Sequence, residues 1–368
     1  MKISIAQQDL LPALSAVSRS VGVKANLPVL GNILLSAEGL KLTLSATNLE
    51  VGIIRTISCE VIDSGEITVP AKTILEIIQS LGAVKVDIET TNENVTISTG
   101  KFKASLNCIP SSEFPVIPLS SEKGITIKKE VIANIPSIIF AAAIDEGRPT
   151  LTGILTELED SHLNFVATDG FRLAHQQVKL TELDSGTKIK VLIPKRTFEE
   201  VVRLISEEGV EDIEIATSNS QNQIVFKIGN STISSRLIEG PFPSWEKLIP
   251  TEHKTRLILD RSELVAAVKL ASVFAKGDSN IITFKLAEGK VMLESQSKEL
   301  GSQVSEIDGQ IEGEEVTIAY NAKFLTDAIT ASNASQLIME FQGPLSATLI
   351  KPMGIEGLEY ILMPVRQS

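Results

Sequence analysis

The sequence predicts an α+β protein built from three tandem copies of one unit, each combining antiparallel strands with amphipathic helices. The first observation is a repeated junction, where an extended apolar run reaches Pro70, Pro194 or Asn321 and an amphipathic helix follows. Pro194 lies 124 residues after Pro70, and Asn321 lies 127 residues after Pro194. A period of this length indicates a duplicated domain.

Two further sets of landmarks keep nearly the same spacing. Strand-like segments end at Glu50, Phe171 and Glu299, which are 121 and 128 residues apart. Helical patterns open each third of the chain, starting at Ile5, Ile127 and Leu259. Segments rich in Pro, Ser, Thr and charge separate the copies, as linkers do. The predicted domains are residues 1–119, 125–249 and 251–368.

Within each third, the hydrophobic pattern predicts helix, strands, helix, strands. Leu10, Leu14 and Val17 recur at helical spacing, whereas residues 84–90 alternate with the period of two that is typical of strands. Corresponding patterns in the other thirds give six helices and roughly two dozen short strands. Pro136 falls inside the third helix, where we expect a local bend because proline removes a backbone hydrogen bond.

Composition indicates a globular protein of the cytoplasm. The chain is 43% hydrophobic and 22% charged, and only 4% aromatic, so its cores must consist of aliphatic side chains. No apolar stretch approaches the roughly 20 residues of a membrane span, and the first ten residues alternate like a strand and do not resemble a signal peptide. Cys59 and Cys108 lie in strand-like runs as small apolar residues, so no disulfide, metal site or cofactor is expected.

The distribution of charge is more informative than its total. A net charge of −12 argues against phosphate binding at first sight. The six predicted helices carry eleven basic and eight acidic residues, so they total +3 and the remainder of the chain totals −15. If all six helices line one surface, that surface is less acidic than the rest of the chain. The alternative is that these are ordinary solvated helix faces.

Catalysis finds little support in the sequence. Acidic residues cluster at 207–212 and at Asp145 with Glu146, but they lie at helix ends or in loops, where solvated clusters are common. His162, His175 and His253 lack metal-ligand spacing, and no phosphate-binding glycine loop or nucleophile motif is present. Asp169 and Gly170 form a dipeptide typical of hairpin turns.

The threefold repeat occurs together with four motifs: residues 26–35 (NLPVLGNILL), 167–174 (ATDGFRLA), 240–250 (GPFPSWEKLIP) and 360–368 (YILMPVRQS). In this combination the chain resembles, over its whole length, the bacterial sliding clamps, the β subunits of DNA polymerase III. The resemblance implies three clamp domains per chain and a head-to-tail homodimer that closes a six-domain ring. Helices would line the hole and strands would form the outer surface. It implies a processivity factor for DNA replication and not an enzyme.

DNA contacts are expected to be electrostatic and independent of sequence. The resemblance places Lys24 and Arg148 where clamps contact DNA. Helix placement adds Lys72, Lys195, Arg196 and Arg203 as candidates, although any of them could be a solvated surface cation.

The resemblance also implies a pocket for short linear peptides of the polymerase catalytic subunit, the clamp loader and repair proteins. Aliphatic walls would accept Leu or Phe side chains, with Arg172 and Arg366 at the rim. Phe171 and Lys247 replace the histidine and arginine of the best-known clamp, and Gln367 and Ser368 extend the tail. The matching positions are Leu151, Thr168, Gly170, Phe171, Arg172, Leu173, Pro243, Lys247, Leu248, Leu345, Ala347, Ile361, Leu362, Met363, Pro364, Val365 and Arg366.

At the ring joint, the resemblance implies that an edge strand of the first domain meets a helix end of the third. The corresponding residues are Lys103, Ala104 and Leu106 on one side, and Val273 and Phe274 on the other. Phe274 could instead belong to the core of the third domain. A rival interpretation of the whole chain is a protein-interaction scaffold with the same repeat that does not encircle DNA.

Overall fold

The computed structural model describes residues 1–22, 27–91, 94–120, 124–145, 147–180, 188–218, 222–275, 280–287 and 289–366. It contains two compact units, one formed by residues 1–130 and 196–237 and the other by residues 131–195 and 238–368. The second predicted domain therefore contributes to both units. No helix in the described ranges is long and apolar enough to cross a membrane.

The strands of the described chain run in order as follows: β1 (Lys2–Ala6), β2 (Asn32–Glu38), β3 (Lys41–Thr47), β4 (Val51–Ser58), β5 (Glu60–Asp63), β6 (Gly65–Pro70), β7 (Lys85–Thr91), β8 (Asn94–Ser98), β9 (Lys103–Asn107), β10 (Ile125–Lys128), β11 (Gly153–Glu159), β12 (His162–Thr168), β13 (Arg172–Lys179), β14 (Ile189–Pro194), β15 (Asp212–Ser218), β16 (Gln223–Ile228), β17 (Ser231–Arg236), β18 (Thr255–Asp260), β19 (Ile281–Ala287), β20 (Lys290–Ser297), β21 (Gly301–Ile307), β22 (Gln310–Gly313), β23 (Val316–Asn321), β24 (Gln336–Phe341), β25 (Thr348–Pro352) and β26 (Leu358–Leu362).

The helices are α1 (Gln7–Ser18), α2 (Ala71–Ser80), α3 (Lys129–Ala133), α4 (Pro136–Ile139), α5 (Lys195–Glu208), α6 (Arg261–Ala275) and α7 (Ala322–Thr330). Short 3-10 helices cover Pro28–Gly31, Ser111–Glu113, Pro149–Leu151 and Trp245–Leu248. The helices bury apolar faces, such as Leu10, Leu14 and Val17 of α1. Full burial of each such side chain contributes roughly 1.5–3 kcal/mol.

Each unit contains two antiparallel sheets. The first unit has a five-stranded sheet in the order β5-β1-β7-β8-β9 and an eight-stranded sheet in the order β10-β15-β16-β17-β4-β3-β2-β6. The second unit has a nine-stranded sheet in the order β14-β11-β12-β13-β26-β25-β24-β18-β22 and a four-stranded sheet in the order β21-β20-β19-β23. The two largest sheets join strands of neighbouring repeats, through the β4–β17 and β13–β26 pairs.

Two local expectations require correction. Pro136 does not merely bend a helix, because α3 ends at Ala133 and Pro136 opens the separate helix α4. Proline is favoured at a first helical position, where its missing N–H has no partner to lose. Cys59 and Cys108 each lie one residue beyond a strand and are only half-buried. That partial burial raises the pKa of both thiols.

Asn321 explains why the third repeat junction has no proline. Its side-chain oxygen accepts hydrogen bonds from the backbone N–H of Lys323 at 3.0 Å and of Phe324 at 3.2 Å, which caps α7. Pro70, the corresponding residue before α2, makes no side-chain cap. The Asn321→Ala variant is expected to lose about 1 kcal/mol of stability. Urea denaturation measures this loss, and Asn321→Asp is the control that keeps the acceptor. Equal stability of the alanine variant would contradict the capping role.

Candidate functional site

A tight turn between β12 and β13 forms the first part of the candidate site. The Asp169 carboxylate accepts hydrogen bonds from the backbone N–H of Phe171 at 2.9 Å and of Arg172 at 3.1 Å. The Thr168 hydroxyl donates to the carbonyl of Arg172 and accepts from the N–H of Gly170. Gly170 has a φ of +92°, which side chains rarely tolerate. The turn predicted from the Asp-Gly dipeptide is therefore confirmed.

The C-terminal segment packs directly against this turn. Strand β26 pairs with β13, so that Leu173 lies opposite Ile361. Beyond the strand, the N–H of Met363 donates to the carbonyl of Phe171 at 3.0 Å. The N–H of Val365 then donates to the carbonyl of Ala319 in β23 at 2.8 Å. The turn and the tail, distant in sequence, thus meet as the sequence analysis expects.

Beneath the turn and tail lies an apolar cluster on one face of the nine-stranded sheet. Its buried members come from the second and third repeats and include the only tryptophan of the sequence. They are Leu155, Val166, Leu173, Leu192, Trp245, Leu349 and Ile361. Ile238, Phe242, Ile249 and Ala347 pack against it and stay partly buried. A sheet face of this kind provides a preformed apolar floor.

The predicted pocket positions fall into three groups by exposure. Leu151, Thr168, Arg172, Leu173, Ile361 and Leu362 are buried, Ala347, Pro364 and Val365 are half-buried, and Gly170, Phe171, Pro243, Lys247, Leu248, Leu345, Met363 and Arg366 are exposed. The exposed apolar members leave surface that a partner could cover.

Arg172 does not lie at the rim of the pocket, contrary to expectation. Only 6% of its surface is exposed, and its guanidinium pairs with Asp169 at 3.0 Å and with Asp327 at 2.6 Å. It also lies 4.6 Å from the ring centroid of Phe324 and 5.2 Å from that of Phe140. Successive strand residues point to opposite sheet faces, so Arg172 and its partner Leu362 face away from Leu173. Moving Arg172 to a peptide would leave two partly buried carboxylates without this partner.

Phe324 is a site residue that the sequence analysis did not assign. It lies in the first turn of α7, is only half-buried and stacks on Phe171, with ring centroids 6.0 Å apart and planes at 26°. The sequence gives one indication that Phe324 lies near the site. It follows the cap residue Asn321 closely, and Ala319, whose carbonyl binds the tail, lies just before that cap. Stacking across 153 residues could not be derived from that signal alone.

The guanidinium of Arg148, predicted to contact DNA, lies on the pocket turn. Its Nη2 donates to the carbonyl of Asp169 at 2.9 Å. Its Nη1 lies 3.1 Å from the position that a Cβ on Gly170 would occupy. The φ of this turn position favours glycine, and a Cβ there would press on the end of the Arg148 side chain. The structure associates Arg148 with the pocket.

The remaining DNA candidates differ in their exposure and in the partners that their charged groups contact. Lys24 lies outside the described residues. Lys72 is exposed on α2, and Lys195 is half-buried at the start of α5. Arg196 is exposed and donates to the carbonyl of Arg19 at 2.7 Å. Arg203 is exposed and bonds to Glu200 at 3.4 Å. Each arginine retains further donors, because a guanidinium carries five N–H groups.

The acidic cluster at residues 207–212 forms ion pairs. Glu207 pairs with Arg19 at 2.9 Å and with Arg55 at 3.4 Å, and Arg55 also reaches Glu208 at 3.4 Å. The rest of the cluster pairs with lysines, Glu211 with Lys129 at 2.6 Å and Asp212 with Lys128 at 2.7 Å. Asp145 accepts from a backbone N–H of its own loop, and Glu146 lies outside the described residues.

The buried histidine of the site also has a structural environment. His175 lies between the Glu359 carboxylate at 2.8 Å and the Asn164 amide oxygen at 3.0 Å. Its ring centroid is 4.4 Å from that of Trp245. Both ring nitrogens therefore have hydrogen-bond partners beside the apolar cluster.

The predicted joint residues occupy exposed edges. In β9, Lys103 is exposed, and Ala104 and Leu106 are half-buried. Among the described residues, β9 pairs only with β8. At the end of α6, Val273 is 53% exposed, whereas Phe274 is half-buried.

A second edge strand near α6 was not assigned from the sequence. Strand β21 is an edge strand of the four-stranded sheet and, in the described chain, pairs only with β20. Val304 in this strand is exposed. Its alternating pattern from Gly301 to Ile307 was the available signal, but alternation alone does not distinguish an edge strand from a central one.

Three family models match successive parts of the chain. The N-terminal domain of the DNA polymerase III beta subunit matches residues 1–118, the central domain residues 126–244 and the C-terminal domain residues 246–366. The chain belongs to the DNA polymerase III beta subunit family. It is an α+β protein of three tandem clamp domains, as the sequence predicts, and a sliding clamp of DNA replication. A sliding clamp is a processivity factor, so this member of the family is not a catalyst.

Individual relatives agree with this assignment over their whole length. The beta sliding clamp of Synechococcus elongatus is 31% identical over 373 residues, covering 100% of this chain and 99% of the relative. The Bacillus subtilis DNA polymerase sliding clamp is 28% identical with a TM-score of 0.95, and 100% of each chain is covered. A Pseudomonas aeruginosa sliding clamp bound to griselimycin is 27% identical with a TM-score of 0.94, again covering 100% of each chain. The family implies DNA and a polymerase as partners.

Proposed function

We propose that two copies of the chain close a ring around duplex DNA and tether partner proteins through the pocket at the turn and tail. The partners are the polymerase catalytic subunit, the clamp loader and repair proteins, each bound through a short linear peptide. The observation that carries the peptide-binding role is the hydrogen-bonded junction of Phe171 with Met363 beside the buried apolar cluster. Such a fixed site binds extended apolar segments at a low entropic cost.

Binding to DNA is proposed to be electrostatic and independent of base sequence. The candidates Lys24, Lys72, Arg148, Lys195, Arg196 and Arg203 are cations on helices or loops, without a reading helix or zinc module. Arg148 is proposed to contribute to the mouth of the pocket as well, because its guanidinium lies on the turn. The three domains are proposed to follow the boundaries 1–119, 125–249 and 251–368. We place the protein in the cytoplasm, where replication occurs in bacteria.

A head-to-tail homodimer is proposed to form at the free sheet edges. Strands β9 and β21 each leave one row of backbone groups without a strand partner in the described chain, and such edges readily pair with another chain. Val273, which is exposed, and Phe274, which is half-buried, are proposed to add apolar surface to this joint at the end of α6. Lys103, Ala104 and Leu106 are the proposed partners from β9.

Retention on DNA circles tests the encirclement. Once loaded on closed circular DNA, the protein is expected to stay bound at high salt, where electrostatic binding to linear DNA is lost. Cutting the circle with a nuclease should release it, because a ring is held by topology and slides off an end. Gel filtration of the DNA fraction before and after cutting measures this, with a matched circle cut before loading as the control. Equal retention on cut and closed DNA would favour the rival scaffold function.

A further inference from the structure

His175 is a buried ionisable residue on the same sheet face as the apolar cluster beneath the pocket. It lies two residues after Leu173 in β13, so both side chains point to that face. Its ring centroid lies 4.4 Å from that of Trp245, a member of the cluster. Only 6% of the surface of His175 is exposed. A group that can change its charge therefore lies directly against the floor of the pocket.

Both ring nitrogens of His175 lie within hydrogen-bond distance of an acceptor. Nδ1 is 2.8 Å from a carboxylate oxygen of Glu359, its register partner in β26. Nε2 is 3.0 Å from Oδ1 of Asn164, and that oxygen also accepts a hydrogen bond from Nε2 of Gln177 at 3.1 Å. Neutral imidazole donates from only one nitrogen, whereas imidazolium donates from both. Only the charged form of His175 satisfies both acceptors.

The ring of His175 supports one side of Trp245, and a carboxylate holds the other. A cation within about 6 Å of an indole ring is attracted to it. Nε1 of Trp245 donates to Glu157 in β11 at 3.4 Å, and Glu157 pairs with Lys190 of β14 at 2.5 Å. Because the indole is buried between these groups, its position depends on both of them.

The position of Trp245 in turn sets one wall of the pocket. Trp245 opens the short 3-10 helix that ends at Leu248, and this helix carries Lys247 and Leu248 of the predicted pocket. Both of these side chains are exposed, whereas Trp245 is buried in the cluster. The buried indole is therefore the anchor that holds the exposed wall against the sheet.

Loss of the proton from His175 would weaken this anchor. A lone pair would then face either Glu359 or Asn164, so one hydrogen bond would be lost, and the attraction of the ring for the indole would decrease. Carboxylates and lysines ordinarily keep their charge between about pH 6 and 8.5, whereas histidine changes its charge there. The charged groups around the ring and the indole are Glu359, Glu157 and Lys190, with Glu246 and Lys247 exposed after Trp245.

We propose that His175 is a positioning residue of the peptide pocket, which holds Trp245 in place when protonated and so makes peptide binding depend on pH. The inference rests on the proposed peptide-binding function and adds a regulation of that same site. We expect a short peptide with Leu anchors to bind about three- to tenfold more tightly at about pH 6 than at about pH 8.5, the effect of one hydrogen bond.

Titration calorimetry with the full chain at these two pH values tests the proposal. The peptide is acetylated and amidated at its ends and contains no ionisable side chain, so it does not titrate itself. His175→Gln keeps hydrogen-bonding groups without the charge, and its Kd should be the same at both pH values. His253→Gln is the matched control, because His253 also lies near a carboxylate, Glu340 at 3.8 Å, but is exposed and outside the cluster. It should keep the pH dependence of the unmodified chain.

Fluorescence of Trp245 tests the contact without a peptide. Trp245 is the only tryptophan, so its emission should change over this pH range in the unmodified chain and in His253→Gln, because the charge on the adjacent ring changes. The emission should stay constant in His175→Gln. Glu359→Gln removes one acceptor carboxylate at a half-buried position and should reduce the pH dependence of both Kd and emission, which keeps the test available if His175→Gln does not fold.

Two kinds of failure are distinguishable. Peptide binding by the unmodified chain with the same Kd at both pH values would overturn the inference alone. A pH dependence that persists unchanged in His175→Gln would do the same. Absence of peptide binding at either pH would overturn the pocket together with it.

Discussion

Removal of residues 363–368 is expected to weaken binding of a short apolar peptide by at least about 100-fold while leaving the homodimer intact. The full chain should bind a peptide with Leu and Phe anchors at roughly micromolar strength, about −8 kcal/mol. The deletion removes the exposed side chain of Met363 and the two backbone hydrogen bonds that tie the tail to Phe171 and Ala319. A 100-fold loss corresponds to about 2.7 kcal/mol.

Fluorescence of Trp245, the only tryptophan, provides the titration signal because that side chain lies in the cluster beneath the pocket. The matched control deletes only Gln367 and Ser368 and keeps the segment from Met363 to Arg366. It should bind like the full chain. A truncated protein that is folded, dimeric and fully able to bind the peptide would place the binding site elsewhere.

The Val273→Asp variant is expected to produce monomers and to lose retention on closed circular DNA. Val273 is 53% exposed in the chain, so an aspartate there should change the stability of the monomer by only about 0.5 kcal/mol. In the proposed joint, the same carboxylate would be placed against the apolar side chains of Ala104 and Leu106, which is strongly unfavourable. We expect a rise of at least about 100-fold in the dimer dissociation constant.

Analytical ultracentrifugation across a range of concentrations measures that constant. Leu40→Asp is the control, because Leu40 is 74% exposed and lies in the turn between β2 and β3 and not in the joint. Phe274→Asp is less informative, since Phe274 is half-buried and its loss could disturb the third domain itself. A Val273→Asp protein with the dimer constant of the unmodified chain would exclude this residue from the joint.

Periodic features of the sequence predicted most of the elements correctly. Alternating runs became strands, and the Asp169–Gly170 pair became the expected turn, because these depend on local backbone preferences. The same alternation could have shown that Arg172 and Leu173 face opposite sides of a sheet. The resemblance to clamps implies both residues for the pocket, but Arg172 faces away from the apolar cluster that Leu173 joins, so its predicted rim position is wrong.

Other features depend on contacts between distant segments and were not predictable from local patterns. The stack of Phe171 on Phe324 requires a turn of one repeat to meet a helix of the next. The bond from Arg148 to Asp169 depends on how a loop folds back over that turn. The pairing of β4 with β17 joins strands whose sequences look no different from strands that pair within one repeat.

The backbone ladders that cross the repeat boundaries have a consequence for unfolding. If the second repeat unfolded alone, β4 of the first repeat would lose its partner β17, and β26 of the third repeat would lose its partner β13. The neighbours would then expose bare sheet edges, which are unfavourable and prone to aggregation. We therefore do not expect the three repeats to unfold independently of one another. We expect each compact unit to unfold in one cooperative transition, and a repeat produced in isolation would lack the partners that its outer strands require.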